Sequence, residues 1–297
     1  MAQIFAPNAQ KLRWIHVEGP DAKDFLHRLT TANLRGLAVG DGTPACFLNP
    51  QGRIVSYFKL WRTGETRFAL ETEQSAETLA IIDQFTFGEK MTVSEAQDVI
   101  PLWVLPAEGE RIPNPAGATG APHCLSEGNV VLCFQGQAEL GRPWVSAWGP
   151  EAEARAHVAA IWPSATLIDE TAVERLRIEA MWPRAGHEIS AESNPLEIGL
   201  RSAIADNKGC YPGQEVLEKI IALGAPARRL ALLSVQGALE QGTPLLDDAG
   251  NEQGRITSIA APDLALAILR KTHAKEGGRL HTATGAHATV TRISTYE

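Results

Sequence analysis

Residues 207–220 read NKGCYPGQEVLEKI. A cysteine stands between a lysine and a Tyr-Pro-Gly turn, directly ahead of a helical pattern. Pro212 disfavours helix at Tyr211 and suits the start of a helix. From there Val216, Leu217, Ile220 and Ile221 fall on one apolar stripe, while Glu215 and Lys219 pair at i,i+4 on another face. Cys210 therefore sits just before a helix N-terminus, with Lys208 two residues away. A helix dipole and a nearby cation both favour the thiolate, the form in which cysteine is a nucleophile. The opposing reading is an inert packed thiol, because free cysteine is among the most buried residue types.

The totals narrow the choice of role. A length of 297 residues suggests two or three domains. Apolar residues make up 44%, enough to build cores. The formal net charge of −8 gives a surface that repels polyanions, which argues against general nucleic-acid binding but allows a local pocket for a small acidic ligand. The opening MAQIFAPNAQKLRWIHV has no signal-peptide core, and no stretch reaches the roughly 18–20 apolar residues of a membrane span. Cys46, Cys124, Cys133 and Cys210 are dispersed and form no CxxC, which fits reduced thiols in a cytoplasm better than a disulfide framework or a zinc site. No metal site is expected.

Along the chain, KLRWIHVEG (11–19) reads as a strand, followed by a helix after Asp21 that carries Phe25, Leu26 and Leu29 on one face. Residues 43–62 read as a hairpin turning at Asn49–Gly52. Its second strand puts Ile54, Ser56, Phe58 and Leu60 on one face and Val55, Tyr57, Lys59 and Trp61 on the other. The first face suits a core; the second suits a pocket wall or a wet surface. TRFALET (66–72) is a strand, 75–87 a helix, and MTVSEAQDVIPLWVLP a return to strand. Residues 107–124 are rich in Pro and Gly and read as a surface loop. Two strands follow, then helices over 150–162 and 171–183, the second ended by Pro183. After about 225 the chain turns to short strands divided by turn residues, the pattern of a small barrel.

Residues 174–200, ERLRIEAMWPRAGHEISAESNPLEIGL, are the second unusual stretch. Arg177 and Glu179 interrupt an apolar helical pattern. Arg175 and Glu179 could form a solvated i,i+4 pair. Alternatively, the Glu179 carboxylate faces a cavity and meets adjacent N–H donors of a ligand.

KGCYPGQE resembles the K-G-C-Y-x-G-Q-E signature of the YgfZ-type folate-binding proteins, relatives of the glycine-cleavage T-protein and of mitochondrial iron–sulfur assembly factors. LRIEA and PLEIGL resemble two further segments of that family, as do VEGPDAKDFLHRLTTANL near the start and GRITS near the end. The resemblance implies an α+β, T-protein-like fold, with ferredoxin-like α/β segments around a central cavity and a C-terminal β-barrel. With the boundary placed by the change of pattern at about 225, in LGAPARR, the chain divides into a folate-binding α/β region of two interleaved subdomains (1–225) and a barrel (226–297). It implies tetrahydrofolate or a derivative as cofactor, with Glu179 holding the pterin. Arg177, Tyr57, Lys59, Trp61 and Tyr211 are the further ligand-binding candidates, Lys59 toward the glutamyl tail. Cys210 and Lys208 are the catalytic candidates, with Cys210 at the mouth of the cavity. The implied role is cytoplasmic support of iron–sulfur cluster assembly or repair, including in tRNA-modifying enzymes, with iron–sulfur enzymes or assembly proteins as partners. Where the aminomethyltransferase carries an Asp-Asp pair this chain has Ser56 and Tyr57, which argues against glycine-cleavage chemistry. A folate-dependent one-carbon transferase and a non-catalytic interaction protein with a vestigial pocket are the alternatives.

Overall fold

The computed structural model describes residues 1–110 and 122–295. In chain order the elements are β1 (Gln3–Phe5), β2 (Arg13–Glu18), α1 (Ala22–Leu29), β3 (Gly42–Leu48), β4 (Ile54–Arg62), β5 (Arg67–Thr72), α2 (Ser75–Phe85), β6 (Thr92–Glu95) and β7 (Ile100–Leu105). Then come β8 (His123–Glu127), β9 (Val130–Gln135), β10 (Trp144–Gly149), α3 (Glu151–Ile161), β11 (Thr166–Leu167), α4 (Glu170–Glu179) and α5 (Gln214–Ala222). The last six are β12 (Arg228–Gln236), β13 (Pro244–Leu246), β14 (Glu252–Ala260), β15 (Leu264–Arg270), β16 (Arg279–His281) and β17 (His287–Ile293). They form two compact units, one of Met1–Phe47, Val55–Val173 and Ala205–Pro212, the other of Leu48–Ile54, Glu174–Ile204 and Gly213–Glu297. The sequence division near 225 falls inside the second unit, between α5 and β12.

The first unit holds two sheets, ordered β3-β4-β5-β2-β6 and β11-β1-β7-β10-β9-β8. Helices α1 and α2 pack on the five-stranded sheet around Phe25, Leu26, Phe47, Phe58, Phe68 and Ile82. Ile54, Ser56, Phe58 and Leu60 of β4 are all buried, as period 2 requires, and Phe58 and Leu60 supply part of that core. Ser56 is satisfied by Thr78 of α2, hydroxyl to hydroxyl at 2.5 Å. Helix α3 covers the other sheet through Ala154 and Val158. A third cluster joins Trp14 and Trp61 of the five-stranded sheet to Cys124, Cys133 and Trp148 of the six-stranded one. MTVSEAQDVIPLWVLP is not one strand. It gives β6 and β7, which belong to different sheets, and Asp98 between them takes φ 57°. Asp21 precedes α1 without capping it; its carboxylate accepts the Lys90 N–H at 2.7 Å instead.

The second unit contains a closed barrel, β12-β15-β14-β13-β16-β17. Strand β12 is apolar on both faces for a reason. Ala231, Leu233 and Val235 fill the barrel, while Leu230 and Leu232 pack with Ile178 and Met181 at the end of α4. Pro183 does not end α4. The helix closes earlier, with Met181 at φ 59° and the Trp182 and Met181 N–H groups bonded back to Arg177 O and Ile178 O at 3.0 and 2.9 Å. That is a Schellman-type stop, with a buried methionine in the left-handed position usually given to glycine. Gly213 opens α5 at φ 80°, and a Cβ there would lie 2.5 Å from Asn49 O and 3.0 Å from the Gly52 Cα. The glycine of the PGQE segment is thus required by both conformation and close approach. Residues 111–121, most of the Pro/Gly-rich loop, lie outside the described residues.

Candidate functional site

In the first unit, the loop carrying Lys208, Cys210 and Tyr211 lies against the C-terminal end of α1. The Lys208 ammonium donates to the carbonyls of His27 (2.6 Å) and Thr30, and sits 4.9 Å over the Tyr211 ring. A helix end leaves carbonyls without intrahelical partners, and a lysine supplies donors for them. Burial pulls the Lys208 amine down to about 8. Lys208 was expected beside the thiol as an activating charge; its hydrogen-bonding partners are instead these two carbonyls. His27 is buried and accepts the Leu34 N–H at Nδ1, 3.2 Å away; burial, and then the Lys208 charge, hold it below its ordinary value and favour the neutral ring that such acceptance needs. Tyr211 is buried, whereas Cys210 is exposed. The other three cysteines are buried, and burial pushes the Cys46 and Cys133 thiols far up.

In the second unit, Glu179 ends α4 with its side chain 47% exposed. Arg175 donates to it at 2.9 Å and also reaches Asp263 at 3.1 Å. The solvated i,i+4 pair is therefore formed, and it presents the carboxylate at the helix end. Arg177 does not have the ligand-facing place expected of it. Its guanidinium is buried against Glu174, Glu188 (2.9 Å) and the Trp182 carbonyl (3.1 Å). Glu188 is fully buried and saturated: it also accepts the Arg184 N–H at 3.1 Å and the Ser258 hydroxyl at 2.6 Å. Burial pushes the Glu174 carboxyl up, but Arg177 and Arg184 outweigh it and hold the group below its usual range. The arginine of LRIEA, the glutamate of GHE and the serine of GRITS thus meet in one network that ties α4 to β14. Likewise Glu197 of PLEIGL takes Arg228 at 2.9 Å and Arg53 at 3.3 Å.

The β4 face of Tyr57, Lys59 and Trp61 is covered within the first unit. Lys59 pairs with Glu139 at 2.5 Å and lies 4.4 Å over the Trp144 ring, so its charge is already matched. Trp61 is fully buried and donates its indole N–H to Glu71 at 3.2 Å. An indole so enclosed is a packing residue, and the ligand-facing role expected of Trp61 gives way to that. Burial raises the Tyr57 phenol well above its ordinary value, with Glu139, Cys46 and Glu71 adding to the effect. Burial also raises both Glu71 and Glu139, with Lys59 opposing in each case. Both carboxyls are thus pushed toward the neutral form beside one lysine, an acid–base feature that sequence reading missed. Glu71 had a local signal, since it faces Lys59 across β4–β5. Glu139, 80 residues from Lys59, had none.

Ser56 and Tyr57 supply no ionised carboxylate, so the strand offers no group like an Asp-Asp pair. Among the described residues, no cluster of three or more His, Cys, Asp or Glu side chains is placed to hold a metal, and no helix is long and apolar enough to cross a membrane.

Comparison with known proteins agrees with this architecture. Residues 6–100 match the GCVT N-terminal domain, and residues 228–295 match the CAF17 C-terminal beta-barrel domain. A putative chloroplastic transferase of Arabidopsis thaliana is 26% identical over 82% of this chain, which spans 59% of that relative. The aminomethyltransferase of Symbiobacterium thermophilum is 27% identical over 93% of this chain and 81% of its own length. Among solved structures, the glycine cleavage system aminomethyltransferase T from Bartonella henselae superposes with a TM-score of 0.82 at 20% identity, covering 98% of this chain and 85% of that one. The chain therefore has the fold of aminomethyltransferase T, with residues 6–100 similar to the GCVT N-terminal domain and residues 228–295 similar to the CAF17 C-terminal beta-barrel domain.

Proposed function

We propose that this protein binds tetrahydrofolate or a derivative and supports the assembly or repair of iron–sulfur clusters in enzymes, tRNA-modifying ones among them, through the thiol of Cys210. The observation that carries this reading is the selective exposure of Cys210. Three cysteines are buried, while the one inside KGCYPGQE is on the surface, on a loop pinned at its neighbour Lys208. A single exposed thiol suits transient sulfur or redox exchange and not stable cluster ligation, which takes several thiolates. The match of residues 228–295 to the CAF17 barrel supports the same direction.

The residues at the end of α4 fit a folate. Glu179 offers a half-exposed carboxylate that can accept a ring N–H and an amine of a pterin, with Arg175 steadying it. In this reading folate supplies a one-carbon carrier, while the protein's own residues orient it: Glu179 holds the pterin and Arg175 steadies the carboxylate. Catalysed aminomethyl transfer is disfavoured by Ser56 and Tyr57. The test is a titration with several folate forms. Glu179→Gln should weaken tetrahydrofolate binding at least about tenfold, the loss of roughly 1.4 kcal/mol or more from a charge-assisted contact. An unchanged dissociation constant would remove Glu179 from the site. No binding of any folate by the parent protein would favour an interaction protein with a vestigial pocket.

A further inference from the structure

We infer that Cys124 and Cys133 form a reversible cross-strand disulfide when the protein meets a small-molecule disulfide. The two residues stand directly opposite each other in the β8–β9 pair. Opposed residues of antiparallel strands have Cα atoms about 4.5–5.5 Å apart, inside the roughly 4.4–6.8 Å window of a disulfide. The side chains already meet, since Cys124 hydrogen-bonds with the Cys133 thiol. Both sulfurs lie in the aromatic cluster with Trp61 and Trp148. Neither takes part in the folate or Cys210 reading.

Strand β8 gives the oxidant its way in. It is the edge of the six-stranded sheet; among the described residues its outer side is held by the Asp41–His123 bridge, with the Cys124 N–H bonded to Gly40 O and the Gly42 N–H to Pro122 O just beside it. Edge strands open at lower cost than whole domains. The Cys124 thiolate attacks one sulfur of the oxidant and expels one small thiolate. The Cys133 thiolate then attacks the Cys124 sulfur and expels the second. Two protein thiols and one small disulfide become one protein disulfide and two small thiols, which take the two protons. Burial disfavours the Cys133 thiolate, so the exchange waits on opening of β8 and runs slower than reaction at Cys210.

The experiment uses Cys210→Ser protein under native conditions with glutathione disulfide, followed by acid quenching, unfolding and alkylation. Glu127 lies between the two cysteines, so proteolysis after glutamate separates them unless they are bonded. The expected result is a protein lighter by two hydrogens, with its two peptides joined until dithiothreitol is added. Trp fluorescence should fall in parallel and recover on reduction. Cys133→Ala should abolish the joined peptides and leave a glutathione adduct on Cys124. Thiols 124 and 133 that both alkylate, long after Cys210 of the parent protein has been fully modified, would overturn the inference. So would a linkage that forms only after unfolding, or one that goes to Cys46.

Discussion

Replacing Arg177 by methionine separates a structural arginine from a ligand-binding one. Glu188 beneath it is fully buried, and its Oε2 takes Arg177 Nη1 at 2.9 Å and the Arg184 N–H at 3.1 Å, while Oε1 takes Ser258 Oγ at 2.6 Å. Methionine keeps much of the apolar stem but leaves the carboxylate without its cation. Removing one partner of a buried ion pair costs about 3–5 kcal/mol, because the remaining charge stays out of water. Two hydrogen bonds to Glu188 survive, which places Arg177→Met near the lower end, about 3 kcal/mol. Adding Glu188→Leu removes the stranded charge, and the double variant should return to within about 1–2 kcal/mol of the parent. Urea unfolding followed by tryptophan fluorescence measures all three proteins. A single variant that costs under about 1 kcal/mol, or a double variant that costs the sum of the singles, would refute the network. A purely ligand-binding arginine would change folate affinity and leave the urea midpoint in place.

Burial raises Glu71, so the folded state holds its proton more tightly than the unfolded chain does. Stability attached to this group is fully present at acid pH and falls as pH climbs from the unfolded carboxyl value toward the folded one. Glu71→Gln should remove that fall, so its urea midpoint should gain on the parent's as pH rises above the ordinary carboxyl value of 4.5; a parallel pair of pH profiles would contradict the assignment. Lys208 has the opposite sign: with the folded amine at about 8 against an ordinary 10.5, stability should rise between those two pH values and Lys208→Met should lose the rise. The neutral amine still has donors for the His27 and Thr30 carbonyls, so an unchanged slope in the methionine variant would show that these contacts do not set its titration. Gly213→Ala forces a left-handed alanine against Asn49 O and should cost at least about 1–3 kcal/mol in urea unfolding; a cost near zero would mean the hairpin tip moves freely away.

Much of this fold is legible in the sequence because it rests on local pattern. The alternation in 54–60, the apolar face of α1, the helix read over 150–162 and the short strands after about 225 each correspond to an element. What failed was tertiary. Trp61 shares a strand face with Lys59, but the period of a strand does not say whether a second sheet will cover that face. Nothing local shows that Arg177, Glu188 and Ser258 meet, because the contact is made by β14 folding back on the end of α4. The early stop of α4 was hidden for a related reason: a left-handed Met181 is paid for by packing against the barrel, not by intrinsic preference. The motif cysteine was legible, whereas the partners of its lysine, 178 and 181 residues away, were not.

Whether Cys210 acts as an exposed thiol in support of iron–sulfur enzymes can be read in cells that lack this protein. The activity of an iron–sulfur enzyme, such as a tRNA-modifying one, is measured after return of the parent chain or of Cys210→Ala at equal abundance. Activity should recover with the parent and not with Cys210→Ala, although the purified variant keeps its fold and its folate affinity. Full recovery with Cys210→Ala would contradict it.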